Sequence, residues 1–232
     1  TAIAAAPLRS APGTAVVYSD LGYLVLGALL ETVLGAPLGA LFRRHVATPL
    51  ALAHTGFRPV TAWAERQGTP PIDTAATELC PVRGRILRGE VHDENAFALG
   101  GTAPHAGLFA TVDDVATVAQ SLLNAAQGRP NPLGLPARVV RAFWEAPPVG
   151  TATWALAWDR PAPSGSQGGT RLSRQAVGHL GFTGCSVWID RTHELVIVLL
   201  SNRVHPTRHN TAIRRFRPLL HDHIAVWLGL TP

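Results

Sequence analysis

Two short segments of this sequence combine side chains that can move protons or carry charge with residues that shape the backbone. The first, Tyr18-Ser19-Asp20, places a phenol and a carboxylate directly before an amphipathic stretch. The second, Gly178-His179-Leu180-Gly181, places an imidazole at the end of a predicted strand that runs into a hairpin. Phenol, carboxylate and imidazole all transfer protons or stabilise charge in hydrolytic reactions. These two segments are therefore the first candidates for a site.

The basic residues of the chain are unusual, because all 20 of them are arginines and none is lysine. A Ser-x-x-Lys segment, which couples a serine nucleophile to a lysine, consequently does not occur among the 232 residues. The chain also contains no methionine and opens Thr1-Ala2-Ile3. We therefore expect it to be the C-terminal part of a longer enzyme, with its N-terminal part missing and its nucleophile on that part.

The composition indicates a folded protein and argues against several classes of partner. An apolar content of 47% supplies a core for one large domain or two small ones. The net charge of +5 comes from arginines scattered along the chain without interleaved aromatics, so we expect no nucleic-acid partner. The most apolar stretch, residues 21–34, is interrupted by Glu31 and too short to span a bilayer, so we expect no transmembrane segment.

Apolar spacing predicts a helical first part and a strand-rich second part. Helices are predicted at 21–34, 38–46, 111–126, 137–145 and 211–228, with Ser19 or Asp20 capping the first. Residues 50–97 are rich in turn formers and are predicted to be irregular, forming a wall or a functional loop. Three antiparallel strands are predicted at 175–181, 185–190 and 195–201. The apolar run 196–200 predicts that the last strand is central and covered on both faces.

The order of several motifs resembles that of the β-lactamase-related serine hydrolases, a group that includes class C β-lactamases, DD-peptidases and esterases. The resemblance covers nearly the whole chain. It rests on Tyr18-Ser19-Asp20, Val91-His92-Asp93-Glu94-Asn95, Gly100-Gly101, His105-Ala106-Gly107-Leu108-Phe109, Gly178 to Gly184 and Ser201-Asn202-Arg203-Val204-His205-Pro206. It implies an α/β (α+β) fold of the β-lactamase/transpeptidase type, with a helical lobe, an antiparallel sheet and a packing helix. We assign residues 1–150 to the lobe and 151–232 to the sheet and C-terminal helix, within one family domain.

The resemblance also implies roles for the first segment. Tyr18 matches the tyrosine that shares proton transfer with the nucleophile and its lysine, which requires a positive environment to lower its pKa from about 10. Asp20 stands where the family more often has asparagine. It either caps the helix or lies beside the substrate, where a carboxylate would hold a neighbouring lysine protonated and repel an anionic substrate.

In the second segment, His179 stands where the family often has the lysine of a Lys-Thr-Gly motif. An imidazolium assists a substrate carboxylate or the transition state only near or below its pKa of about 6.5. Leu180 replaces a threonine whose hydroxyl could bind substrate, Gly181 lets substrate lie along the strand, and the Phe182 N–H matches an oxyanion donor. Arg203 either meets a substrate carboxylate or solvates a helix start.

Three other interpretations compete with this one. Ten histidines and His221-Asp222-His223 suggest a metal hydrolase, but positions i and i+2 of a helix point apart, so we expect no metal or other cofactor. The segment Gly184-Cys185-Ser186-Val187-Trp188 lacks the second glycine of a G-x-S-x-G elbow. The third interpretation, a non-catalytic module that binds peptidoglycan or a protein partner on the same scaffold, remains open.

The function that the sequence favours is therefore serine-dependent hydrolysis of a small ester, amide or β-lactam through an acyl-enzyme. We expect this chain alone to be inactive. The family resemblance suggests a periplasmic or extracellular location. One disulfide between Cys80 and Cys185 remains open, since neither cysteine belongs to a metal-binding or disulfide motif.

Overall fold

The computed structural model describes residue 3 and residues 5–60, 73–145 and 153–230. The chain separates into two compact units, Thr1–Thr111 and Val112–Pro232. Two helices between residues 112 and 144 pack with the sheet of the second unit. The assignment of residues 1–150 to a lobe and of 151–232 to the sheet and C-terminal helix, within one family domain, stays a prediction.

Among residues 5–60 and 73–111, the first unit contains three α-helices, a π-helical turn and two small antiparallel sheets. Its helices are α1 (Asp20–Leu34), α2 (Leu38–Phe42), which continues into the π-helical turn Arg43–Ala47, and α3 (Glu94–Ala98). Its strands are β1 (Gly56–Phe57), β2 (Ala76–Cys80), β3 (Arg85–Arg88) and β4 (Leu108–Phe109), which pair as β1 with β4 and β2 with β3.

Helix α1 begins and ends where the sequence predicts, but most of its apolar side chains lie exposed. The Ser19 side chain accepts a hydrogen bond from the Leu21 N–H, and Gly35 ends the helix in the left-handed conformation. Only Gly27 is buried, and a methyl group added there would lie 2.7 Å from the Pro104 ring. The exposed large apolar residues of α1 are Leu21, Val25, Leu26, Leu29, Leu30, Val33 and Leu34.

The prediction of irregular structure across residues 50–97 is wrong for the hairpin of β2 and β3 and for α3. Strand β2 places Glu78 and Cys80 inside and Leu79 outside, the reverse of an apolar-in alternation. The buried Glu78 carboxylate pairs with His92 at 2.9 Å, and the buried Glu90 pairs with Arg83 and Arg85. The interior of this hairpin therefore combines ion pairs with the buried Cys80 and Leu87, and the apolar periodicity that predicts strands does not register it.

The second unit is an antiparallel sheet with helices on both faces. Its helices are α4 (Val112–Ala126), α5 (Ala137–Trp144) and α6 (Ile213–Trp227). Its strands, in the order β5-β6-β7, are β5 (Val177–Leu180), β6 (Ser186–Asp190) and β7 (Leu195–Leu199). In this register His179 lies opposite Val187, and Leu180 lies opposite Ser186.

Two apolar clusters fill the two faces of this sheet. On one face, Leu123 of α4 and Trp144 of α5 pack with Val177 and Ile189 of the sheet. On the other face, Trp188 and Ile197 pack with Leu172, Ala176 and, from α6, Ile224. The helices predicted after residue 111 and at the C-terminus therefore sandwich the three predicted strands.

The predicted central position of the last strand is not what the described residues show. Strand β6 is central, and β7 pairs with β6 alone within the ranges that the structure describes. Ile197 is the one fully buried residue of β7, while its neighbours are half-buried. The apolar run that predicts a central strand here occupies an edge of the described sheet.

The turn between β6 and β7 is organised by a buried carboxylate. Asp190 accepts hydrogen bonds from the Ser173 N–H and hydroxyl, from the N–H groups of Thr192 and His193, and from the His193 ring. Burial alone would raise the pKa of Asp190, but the hydrogen bonds from Ser173 and His193 outweigh it and lower that pKa below its ordinary value. Asp190 thus stays charged and ties the loop before β5 to this turn.

None of the described helices is by itself long and apolar enough to cross a membrane. Taken together, Asp20–Leu34 and Leu38–Ala47 reach that length and composition, but the pair is bent by 75° at its break.

Candidate functional site

Tyr18 lies in extended backbone immediately before α1, in the first unit, and 62% of it is exposed. Partial burial raises the pKa of Tyr18 above its ordinary value, and the nearby Asp20 carboxylate raises it further. The surroundings that the first unit supplies therefore favour the neutral phenol. The positive environment expected for this tyrosine stays a prediction.

Asp20 does not cap α1, contrary to one of its two predicted roles. The cap is Ser19, whose hydroxyl accepts the Leu21 N–H at 3.2 Å, and Asp20 is the first helical residue. A carboxylate in the first turn interacts favourably with the positive end of the helix dipole. Contact of Asp20 with a substrate stays a prediction.

The histidines of the glycine-rich motifs in the first unit hold loops together. Asp93 caps α3 through the Ala96 N–H at 2.8 Å and pairs with His105 at 3.0 Å. His92 pairs with the buried Glu78 at 2.9 Å. His92, Asp93 and His105 therefore tie the loops of the first unit to one another and to β2.

His179 lies on β5, at an edge of the described sheet, beside the indole of Trp154. The two ring centroids are 5.9 Å apart, and the rings are tilted by 55°. His179 Nδ1 lies 3.0 Å from the Leu180 carbonyl oxygen. Because a carbonyl oxygen can only accept, Nδ1 carries the proton, and Nε2 of the neutral ring is an acceptor. Protonation at Nε2 would convert this side of the ring into a donor.

Leu180 occupies a position that favours an apolar residue. Its half-buried side chain packs against the cluster of Trp188, Leu172 and Ile197. Alternate residues of a strand face opposite sides, so Leu180 and His179 serve different faces of β5. Leu180 therefore contributes to the core, and its contact with substrate stays a prediction.

A tight turn joins β5 to β6 and contains Gly181 and Phe182, two of the predicted site residues. The Gly181 N–H donates to the Cys185 carbonyl at 2.7 Å, and the Gly184 N–H donates to the Gly181 carbonyl at 3.0 Å. Gly184 has φ +111°, and a Cβ added there would lie only 2.3 Å from Ser201 Oγ. Phe182, at the tip of this turn, is 58% exposed.

Arg203 binds this turn and the segment that precedes α6. Its Nε donates to the Phe182 carbonyl at 2.7 Å, and its Nη1 donates to the carbonyls of Arg208 and Asn210 at 2.7 and 2.9 Å. The guanidinium also stacks 4.5 Å from the Phe182 ring centroid. Neither predicted role of Arg203 includes these backbone contacts, and its binding of a substrate carboxylate stays a prediction.

Arg217, on α6, is a residue of this site that the sequence motifs do not reveal. It is 5% exposed. Its Nε donates to the Gly184 carbonyl at 3.0 Å, and its Nη2 donates to the carbonyls of Gly181 and Cys185 at 2.9 and 2.8 Å. A charged residue inside an amphipathic helix is the one available signal, and the sequence contains many arginines that share it.

Metal chemistry gains no support from the side chains. His221 is buried and His223 is exposed, which confirms that the two point apart on α6. His221 Nδ1 lies 3.0 Å from the Gln167 carbonyl, and burial lowers the pKa of this ring. In the ranges that the structure describes, no group of three or more His, Cys, Asp or Glu side chains could hold a metal ion. Cys80 and Cys185 are both free thiols.

Comparison with known proteins decides the family. The sequence matches the family profile described as "Beta-lactamase" over residues 1–221. The chain belongs to the β-lactamase family. This confirms the resemblance and the fold class inferred from the motifs.

Two curated relatives of this β-lactamase family chain are named as an amidase and a carboxypeptidase. An N-acetylmuramyl-L-alanine amidase of Bacillus subtilis is 35% identical over 213 residues, which are 86% of this chain and 47% of that protein. A candidate D-alanyl-D-alanine carboxypeptidase of Escherichia coli is 36% identical over 213 residues, 86% of this chain and 48% of that protein. The chain thus spans about half the length of the curated relatives it matches.

A solved structure shows the same fold. A β-lactamase from Mycobacterium bovis superposes with a TM-score of 0.63 at 19% identity, covering 94% of this chain and 66% of that one. At this identity the likeness concerns the fold alone.

The predicted site residues of this family member fall into two groups, one in each unit. The segment His179–Phe182 and Arg203 form one strand and turn in the second unit. Tyr18 and Asp20 are neighbours in the first unit. The approach of these two groups to one another stays a prediction.

Proposed function

We propose that this chain is the C-terminal part of a serine hydrolase that acts through an acyl-enzyme. The serine and lysine of a Ser-x-x-Lys segment come from polypeptide outside these 232 residues, since the chain contains no lysine. We call the polypeptide that carries both parts the complete protein. The observation that carries this proposal is the turn after β5, which is held by backbone hydrogen bonds around Phe182 in a chain of the β-lactamase family.

The turn supplies electrostatic stabilisation. Attack on an acyl carbon creates an oxyanion, and a preorganised N–H donor aimed at it contributes about 2.7 to 4 kcal/mol of transition-state stabilisation. The Phe182 N–H is one donor, and the N–H of the missing serine is the other. Because the turn is fixed before substrate binds, the donor does not have to reorganise during the reaction.

Tyr18 moves the proton. Its raised pKa keeps the phenol neutral in the surroundings that the first unit supplies. The lysine of the missing segment supplies the positive charge that lowers this pKa and allows Tyr18 to accept the serine proton. Tyr18 then returns the proton to the leaving group.

His179 meets the substrate through its imidazole ring. Its Nδ1–H donates to the Leu180 carbonyl at 3.0 Å. An imidazole offers an acceptor when neutral and a charged donor to a carboxylate when protonated, whereas a lysine offers a charged donor alone.

The substrate is a small ester, amide or β-lactam. The relatives named as an amidase and a carboxypeptidase support an amide substrate. A location in the periplasm or outside the cell rests on the family resemblance alone. His179 and Leu180, in place of lysine and threonine, favour esterase or peptidase activity over rapid β-lactam hydrolysis. Rates of the complete protein on a short-chain nitrophenyl ester and on a chromogenic cephalosporin compare these activities directly.

Covalent labelling tests the proposal. The complete protein is expected to react with a fluorophosphonate at the serine of Ser-x-x-Lys, and this chain alone is expected to remain unlabelled. Replacing that serine by alanine in the complete protein is the matched control. Labelling of any serine within this chain would contradict the proposal.

A second candidate function is a non-catalytic module that binds peptidoglycan or a protein partner. The absence of lysine from the chain is the observation that favours it. In that case the complete protein would contain no Ser-x-x-Lys segment, would not react with the fluorophosphonate, and would still sediment with isolated peptidoglycan.

A further inference from the structure

Arg217 is a buried cation whose hydrogen bonds within the described part of the chain go to backbone carbonyls. Within the described ranges no carboxylate forms an ion pair with it. A buried charge is costly unless it is compensated, and here three charge-assisted hydrogen bonds to carbonyls compensate it. All three carbonyls belong to the five-residue segment Gly181 to Cys185. The guanidinium is therefore placed to fix this turn.

The hydrogen bond to Gly181 acts on the peptide group that contains the proposed oxyanion donor, the Phe182 N–H. A peptide unit is planar, and it joins the carbonyl of one residue to the N–H of the next. The carbonyl of Gly181 and the N–H of Phe182 belong to a single peptide group. The 2.9 Å bond from Arg217 Nη2 to the Gly181 oxygen consequently restricts the direction in which the Phe182 N–H points.

The hydrogen bond from Arg217 to the Gly181 oxygen also polarises the Gly181–Phe182 peptide group. A cation on the carbonyl oxygen draws electron density through the amide and makes its N–H a stronger donor. The Gly184 N–H donates to the same oxygen at 3.0 Å and reinforces the effect. The positive charge of Arg217 also favours negative charge developing beside Phe182.

We propose that Arg217 is a positioning residue, which orients and polarises the Gly181–Phe182 peptide group so that its N–H stabilises the oxyanion. This inference rests on the proposed function. Arg203 holds the next peptide group through the Phe182 carbonyl, so the two arginines bind consecutive peptide groups of the turn.

Two variants and one control separate positioning from folding. Arg217→Met removes charge and donors at similar length, and Arg217→Lys keeps the charge with a single ammonium. Arg215→Met, on an exposed position of the same helix, is the control. The complete protein is assayed for ester hydrolysis, and rates are divided by the number of sites that a fluorophosphonate titrates. Partly unfolded protein then does not lower the measured kcat.

The expected result is a fall in kcat per titrated site of about 100-fold for Arg217→Met with little change in KM, a smaller fall for Arg217→Lys, and none for the control. Affinity for a boronic acid, which mimics the tetrahedral state, should fall in parallel. A kcat per site within about twofold of wild type in Arg217→Met would overturn the proposal. If Arg217→Met does not fold, the same criterion applies to Arg217→Lys.

A measurement that does not depend on catalytic activity tests the role of Arg217 independently of the proposed function. Hydrogen exchange of the Phe182 amide, followed by NMR with isotope-labelled phenylalanine, should accelerate in both Arg217 variants and not in Arg215→Met. If wild type shows no hydrolysis, the proposed function fails. Unchanged exchange in the Arg217 variants would still refute the positioning of the turn.

Discussion

Arg217 Nη2 donates a 2.9 Å hydrogen bond to the Gly181 carbonyl, across 36 positions of sequence. This contact joins the C-terminal helix to the turn that follows β5. The motif residues thus depend on a helix that the motif does not include. The peptide group of Gly181 and Phe182 is held at its oxygen by a buried cation, and its N–H belongs to the residue that the family resemblance assigns to the oxyanion.

Replacing Tyr18 by phenylalanine tests the proton-transfer role. The phenol is lost while the ring remains, so we expect kcat of the complete protein for a nitrophenyl ester to fall by about 100- to 10,000-fold. Tyr23→Phe removes the other tyrosine of the chain and should leave kcat nearly unchanged. Equal effects of the two substitutions would refute a specific role for Tyr18.

Replacing Asp20 by asparagine tests the electrostatics around Tyr18. Burial is the larger cause of the raised pKa of Tyr18 and the Asp20 carboxylate is the smaller, so Asp20→Asn should lower this pKa without restoring its ordinary value. Ultraviolet titration of the phenolate in a Tyr23→Phe background follows this single tyrosine. Glu31→Gln, a charge change elsewhere in α1, should not move the titration. An unchanged pKa in Asp20→Asn would refute the assigned coupling.

The second unit was the more predictable part of the chain, because its elements follow simple apolar periodicity. The strands containing His179, Trp188 and Ile197 and the C-terminal helix lie within a few residues of their predicted bounds. Their side chains alternate between apolar clusters on two faces, which is the pattern that the sequence displays. The order of the strands was less predictable, since an apolar run does not distinguish a central strand from an edge.

The first unit was less predictable, because polar contacts organise it. Glu78 and Glu90 are buried through ion pairs with His92, Arg83 and Arg85, so the hairpin carries its charged side chains inside. Local sequence patterns also fail to identify every residue of the candidate site. His179 and Gly181 belong to a local motif, whereas Arg217 reaches the turn only through the fold.

Replacing Asp190 by asparagine tests the turn between β6 and β7. The lowered pKa of Asp190 means that its charged form stabilises the fold, a contribution present above the ordinary pKa of about 3.9 and lost as pH falls through the lower folded value. Asp190→Asn should therefore reduce the free energy of unfolding at neutral pH by about 2 kcal/mol and flatten its acid dependence. Asp113→Asn, at an exposed site, is the control for urea unfolding at several pH values. An equal acid dependence in wild type and Asp190→Asn would contradict this account.

The exposed face of α1 predicts association of this chain when it is expressed alone. Leu29 and Val33 are 55% and 70% exposed within a continuous apolar surface, and such surfaces drive self-association. Replacing both residues by glutamine should shift sedimentation toward the monomer. Leu156→Gln removes an exposed apolar side chain elsewhere and should not. A wild-type chain that is monomeric at every concentration would contradict the prediction.

The most direct test of the account is a crystal structure of the complete protein after reaction with a fluorophosphonate. The central claim is that Tyr18 and the turn after His179 face one acyl group attached to a serine from outside this chain. The account predicts that the phosphonyl oxygen accepts a hydrogen bond from the Phe182 N–H and that the Tyr18 hydroxyl lies beside the modified serine oxygen. A phosphonyl group bound away from both Phe182 and Tyr18 would contradict the account.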